Sequence, residues 1–281
     1  MYSKQKPFSQ YSFFFILCIL FFSMISLNGH SQVDRKQEPT FKLGMAGYTF
    51  KDISIDNTIE MMKRINVKYL SIKEIQLAQT STQEEINAVK KKFADAGITI
   101  YTGGVIYMKT KEAVDVAFDY GKKLGVKMLV CAPDYPLLGY VEQKVKETNI
   151  RVALHNHGPD NPLYPNATDI WNHIKDLDAR MGICLDIGHT TRDGQDPSVD
   201  MKRYFKRIFD IHIKDVTAAD KTGNTCEMGR GVIDIPKFVA TLKSLKYNGV
   251  CSLEFEKDSK DPLPGIAESI GYLNGVIACT K

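Results

Sequence analysis

From Phe41 onward, short apolar runs alternate with amphipathic stretches eight times over, and this rhythm limits the possible folds more than any other feature of the chain. The runs at 43–48, 67–72, 98–107, 126–131, 150–155, 182–186, 208–213 and 250–254 read as strands. Between them, 56–65, 82–96, 111–124, 138–148, 167–177, 198–206 and 235–245 read as helices, and 264–278 closes the chain with another. Thr82 with Glu85 three residues on marks a helix start, and Gly97 and Gly125 mark helix ends. Near-continuous apolar strands separated by amphipathic helices predict a parallel sheet covered by helices. Eight such units in about 240 residues favour an α/β fold of the closed (β/α)₈ type, a TIM barrel, over an open sheet. No GxGxxG follows the first strand, so a dinucleotide fold lacks its mark. No repeat or linker divides residues 41–281, which read as a single domain.

Residues 1–40 are of another kind. Lys4 and Lys6 precede an apolar run of 15 residues, Phe13 to Leu27, and small and polar residues follow to Ser31. A basic start, a short apolar core and a small-residue exit read as a secretory signal peptide over 1–31, with a charged leader over 32–40. The run is short for a membrane span, which takes about 20 residues. The expectation is an exported protein, periplasmic or secreted, with no membrane association beyond the signal peptide. The net charge of +4 includes both leader lysines, and no basic block with interleaved aromatics appears, so nucleic acid is not an expected partner. Five cysteines remain after residue 31, with no CxxC pair, too few for a disulfide scaffold. Cys131, Cys184 and Cys251 fall inside strand-like runs and read as buried free thiols.

In a (β/α)₈ barrel, chemistry gathers at the C-terminal ends of the strands. Four consecutive strands end there in metal-ligand types: His155-Asn156-His157, Asp186 with His189 three residues on, His212 with Lys214, and Glu254. One histidine at a strand end is more often a satisfied structural residue than a ligand. Here five of the six histidines follow residue 150, and all but His173 of these lie at or just past a strand end. Two imidazoles and two carboxylates suit one divalent metal, Mn²⁺, Co²⁺, Zn²⁺, Fe²⁺ or Mg²⁺, better than Ca²⁺.

The ordered motifs CLDIGH (184–189), HIKD (212–215), GRGVID (229–234) and SLEFE (252–256) resemble those of the xylose-isomerase-like TIM-barrel superfamily of sugar phosphate isomerases and epimerases. Its members include ketose 3-epimerases, inosose dehydratases and endonucleases of the endonuclease IV type, and the resemblance runs from Leu43 to the C-terminus. It implies a metal held by a Glu, an Asp, a His and a Glu on successive strands. The last three correspond to Asp186, His212 and Glu254. At the first position this chain has His155 where relatives carry glutamate, and His157 is the alternative ligand.

That departure bears on the reaction. The family's 3-epimerases use two metal-bound glutamates on opposite faces of the substrate, and only Glu254 remains in such a role. A second acid or base has to come from His157, His189, Lys73, Glu74 or Lys214. Metal polarisation of a ketone with one carboxylate base suits removal of a proton α to a carbonyl. The leading expectation is therefore a metal-dependent isomerase or epimerase working by enolisation on a free sugar or keto-sugar, since export argues against a phosphorylated substrate. The alternatives are a lyase or hydratase of 3-keto-glycosides or related oxidised sugars, and a non-catalytic sugar-binding barrel. His189 either contacts substrate, as the resemblance implies, or orients a ligand. Arg230, between two glycines, and Lys214 are candidates for binding substrate, with Asp234 capping the helix that follows. Tyr107 is a candidate wall for a sugar face, whereas Trp171 reads as packing. Relatives are often oligomers, so the resemblance makes a homo-oligomer one candidate state, which the sequence itself leaves open.

Overall fold

The computed structural model describes residues 1–2 and 41–280. The run read as signal peptide and leader lies outside the described residues, apart from Met1 and Tyr2.

Eight parallel strands close into a barrel with helices between them. In chain order the elements are β1 (Lys42–Ala46), α1 (Ile55–Arg64), β2 (Tyr69–Ile72), α2 (Gln83–Asp95), β3 (Thr99–Met108) and α3 (Lys111–Leu124). Then come β4 (Met128–Pro133), α4 (Leu138–Thr148), β5 (Arg151–His155), α5 (Ala167–Ile174), β6 (Met181–Asp186), α6 (Ile187–Arg192), α7 (Pro197–Tyr204) and β7 (Ile208–Ile213). The chain ends with β8 (Asp215–Val216), β9 (Thr225–Cys226), α8 (Ile235–Ser244), β10 (Val250–Leu253) and α9 (Leu263–Cys279). Around the barrel the strands run β1-β10-β7-β6-β5-β4-β3-β2, and β1 closes the ring by pairing with both β10 and β2. The expected eighth barrel strand is thus β10, because β8 and β9 form a separate antiparallel pair.

Local chemistry sets these boundaries. Thr82 and Glu85 make a reciprocal capping box at the start of α2, satisfying two helix-end donors. Gly125 ends α3 in the left-handed region at φ 73°, where glycine carries no Cβ penalty. Strands β4 and β6 are buried at every position, which is why they read as unbroken apolar runs. Trp171 packs on Tyr204 at 5.8 Å between ring centroids and under the Arg207 guanidinium, in the helical layer. Cys131, Cys184 and Cys251 are buried free thiols, as the strand pattern suggested.

Inside the barrel a polar layer lies beneath the strand ends. The Tyr101 hydroxyl lies 3.0 and 3.1 Å from the two Asp210 carboxylate oxygens and 2.7 Å from Ser252 Oγ. Asp210, Ser252 and Cys184 each precede by two residues a group at the barrel mouth, His212, Glu254 and Asp186. The two-residue period of a strand puts each pair on one face.

Candidate metal centre

The barrel register brings the strand-end residues together. His155 pairs with Cys184 across β5 and β6, and Asp186 pairs with His212 across β6 and β7. Glu254, just past β10, donates its backbone N–H to Ile213 O at 3.0 Å, which draws it alongside β7. One ligand atom each of His155, Asp186, His212 and Glu254 lies within 4.8 Å of the others, and all four residues are buried. His155 Nε2 is 3.1 Å from His212 Nδ1 and 3.5 Å from Asp186 Oδ2, while His212 Nδ1 is 3.4 Å from Glu254 Oε1. This grouping takes in His155 and leaves His157 beside it.

Neighbours hold each donor in place. Asp186 caps α6 by accepting the His189 N–H on Oδ1 at 2.8 Å, which turns Oδ2 toward the imidazoles. Asn156 clamps the Asp186 backbone on both sides, accepting its N–H at 2.8 Å and donating to its carbonyl at 3.1 Å. Lys214 Nζ lies 3.1 Å from Asp186 Oδ2 and 2.7 Å from Glu254 Oε2, and it also binds Glu256. Gly188 makes room for the Lys214 stem, since a Cβ there would stand 2.3 Å from Lys214 Cγ.

Electrostatics follow from burial and this ammonium. Burial alone would raise the Asp186 and Glu254 carboxyls, but Lys214 and the neighbouring imidazoles outweigh it and hold both below the usual carboxylate range. Burial likewise disfavours charge on Lys214, yet Asp186, Glu254 and Glu256 keep it protonated. Burial pushes His155 down, so its imidazole is neutral. For His212 burial is overcome by Glu254, which pulls the imidazole above its ordinary value.

The site fits a divalent cation on two counts. Asp186 Oδ2 is buried with no hydrogen-bond partner, and it lies 3.5 Å from His155 Nε2, which itself lies 3.1 Å from His212 Nδ1, so donor atoms of three residues crowd one buried point. As ligands both imidazoles are neutral, His212 giving up the proton that Glu254 favours, and the carboxylates of Asp186, Glu254 and Glu256 then face a single ammonium. The excess is two negative charges, the amount one divalent ion offsets.

The remaining expected residues divide. His157 Nε2 is 2.9 Å from the Tyr107 hydroxyl, and the two rings stack at 5.4 Å. Burial, helped by His155, pushes His157 down to about 3, so it stays neutral at ordinary pH. His189 is pushed to about 3, again chiefly by burial. It lines a cleft of about 400 Å³ beside the donors, together with Arg192, Lys214, Asn224, Thr225 and Glu256. Lys73 is buried at the rim, where its ammonium donates to Val105 O, pairs with Glu74 at 3.1 Å and sits 5.6 Å from the Tyr107 ring centre. Arg230 does not join this group, because Glu268 holds its guanidinium at 2.5 and 2.7 Å on the exposed side of the molecule. Asp234 caps α8 by accepting the Lys237 N–H at 2.9 Å.

Arg192, Glu256 and Asp215 were not legible as site or support residues. Arg192 lies one helical turn after His189, and Glu256 two residues after Glu254, spacings that return each to the same side. The Asp215 carboxylate accepts N–H groups from Val216, Gly229, Gly231 and Ile233, pinning the GRGVID loop to the end of β7.

The family model of the xylose isomerase-like TIM barrels matches residues 57–276. No curated protein matches the chain. Among solved structures, an uncharacterised protein from Parabacteroides distasonis is 25% identical with a TM-score of 0.66, covering 84% of this chain and 99% of its own. An L-ribulose 3-epimerase is 14% identical with a TM-score of 0.68, covering 84% of this chain and 94% of its own. The probable 3-DHS dehydratase AsbF of petrobactin synthesis, from Bacillus anthracis, is 12% identical with a TM-score of 0.64, covering 83% and 99%. The last two likenesses are of fold.

Proposed function

The chain belongs to the xylose isomerase-like TIM-barrel family, and from that premise we propose that it is a divalent-metal-dependent sugar isomerase acting by enolisation on a free sugar or keto-sugar. The observation that carries this reading is the buried group of His155, Asp186, His212 and Glu254, with two residues of the adjoining cleft, His189 and Glu256, each placing a ligand atom within 4.8 Å of one on Glu254. A divalent ion held by these four would act as a Lewis acid on a carbonyl oxygen.

The chain's own residues do the rest. Glu254 is held ionised by Lys214 and is the proton acceptor at the carbon next to that carbonyl. Lys214 fixes Glu254 and Glu256 on one side of the cleft. His189 and His157 stay neutral and offer hydrogen bonds to sugar hydroxyls without adding charge. Tyr107 orients His157 through its hydroxyl. His155 stands where the resemblance calls for a glutamate, so Glu254 is the one glutamate of the four-donor group. One base that removes and returns a proton on a single face suits isomerisation better than inversion.

Two further features support an unphosphorylated substrate. The N-terminal run reads as an export signal, which we take to place the enzyme outside the cytosol. The cations of the cleft are also already paired: Arg192 with Asp160, Lys257 with Glu227, and Lys214 with three carboxylates.

The test is incubation with ketohexoses in deuterated water with Mn²⁺ or Co²⁺. Deuterium entering the position α to the carbonyl, and its loss in Glu254→Gln, is the expected result. Elimination from 3-keto-glucosides without exchange into ketohexoses would favour a lyase, the reading that a single-base site also permits. Sugar binding with neither exchange nor elimination would leave a non-catalytic barrel.

A further inference from the structure

Cys184 lies on β6 two residues before Asp186, hence on the same face and one layer deeper in the barrel. Its Sγ and one nitrogen each of His155 and His212 lie within 4.8 Å of one another, and all three residues are buried. The two imidazoles are therefore common to two donor groups, one completed by the carboxylates of Asp186 and Glu254 and the other by a thiol. Each of these imidazoles also keeps a buried nitrogen without a hydrogen-bond partner. Sγ itself makes one weak contact, donating to Asp210 Oδ2 at 3.8 Å.

We propose that Cys184 completes a second, deeper donor set with His155 and His212, and that this thiol selects the class of ion the protein takes. The proposal rests on the metal-dependent reading above. Sulfur is a soft donor, and imidazole in place of a carboxylate at His155 moves the site in the same direction. A set of two imidazoles and a thiolate favours Zn²⁺, Co²⁺ or Fe²⁺ over Mg²⁺ and Mn²⁺, which prefer oxygen. On coordination the S–H bond breaks and a sulfur lone pair forms the bond to the ion. The proton passes to the Asp210 carboxylate that already accepts it, and no electron transfer is involved.

Cobalt substitution tests this without reference to turnover. The stripped protein is loaded with Co²⁺ and its uptake followed by calorimetry and absorption. The expected result is a near-ultraviolet sulfur-to-cobalt charge-transfer band in the wild type. That band is lost in Cys184→Ser while cobalt uptake persists, and it is retained in Cys251→Ser, a control for the other buried thiols. The wild-type preference for Zn²⁺ over Mn²⁺ is expected to fall in Cys184→Ser by about tenfold. Cobalt X-ray absorption on the wild type decides the point even if the variant fails to fold, because a sulfur scatterer is required. Cobalt uptake with nitrogen and oxygen neighbours alone overturns this inference and leaves the metal-dependent reading standing. No uptake at all overturns both.

Discussion

Lys214 brings an ammonium against three carboxylates in the floor of the cleft, and its stem threads past Gly188 to reach them. Removing one member of such a buried set strands the others as uncompensated charges. Lys214→Met is expected to lower the stability of the metal-free protein by about 3 kcal/mol, read from the denaturant midpoint. Adding a divalent ion should restore much of that loss, since the ion supplies the missing positive charge. Equal stability of variant and wild type without metal would contradict this account. His157 and His189 give a second residue-level expectation. Their values lie near 3, below the ordinary 6.5, chiefly because burial disfavours the imidazolium. Between these values the unfolded chain binds more protons than the fold, so stability rises with pH through that window. In an imidazole NMR titration of the metal-free protein, neither ring should change charge between about pH 5 and 8, the range in which free imidazole titrates. A titration midpoint near 6.5 for either ring would contradict their burial.

At the scale of elements, α7 carries a buried carboxylate that the site does not use. Asp200 is 3% exposed, its Oδ2 has no hydrogen-bond partner, and burial pushes it up to about 6, with Asp196 and Asp193 adding to the shift against Arg203. A raised folded value means that the fold binds the proton more tightly than the unfolded chain. Stability is therefore highest below about pH 4, where both states are protonated, and declines as pH rises to about 6. Asp200→Asn should stabilise the protein above pH 6, on the order of 2 kcal/mol, and not near pH 4. Thermal melts at the two pH values check it, and an equal shift at both would refute the ionisation argument. The elements themselves were unequally legible. Helix α2 announces both ends through Thr82, Glu85 and Gly97. By contrast, β8 and β9 have two residues each, too few to show a period, and α6 follows β6 without an intervening residue. Asp215 ends the HIKD motif, yet its four backbone partners lie as far on as Ile233, beyond any local pattern.

For the whole molecule, barrel closure turns a list of strand ends into a site. The eightfold alternation foretold the closed sheet, and the registers of β5, β6, β7 and β10 then gather His155, Asp186, His212 and Glu254. Those four residues were readable because ionisable types stand at positions where the strand pattern calls for apolar ones. The pairing of Arg230 with Glu268, 38 residues away on α9, was not readable, since neither residue is marked by periodicity. Lys214 was read as a site residue, but its pairing with three carboxylates was not readable, nor was the approach of Cys184 to the imidazoles, since both depend on side-chain reach in the closed barrel. A metal bound at this centre links the strand ends, so chelation should lower the melting temperature and one divalent ion should raise it by mass action. Isothermal titration of the stripped protein with Zn²⁺ or Co²⁺ tests the central claim most directly. One ion bound per chain in the wild type, with binding lost or greatly weakened in His212→Ala and in His155→Ala, is the predicted result. Absence of stoichiometric binding, or unchanged binding in both variants, would contradict it.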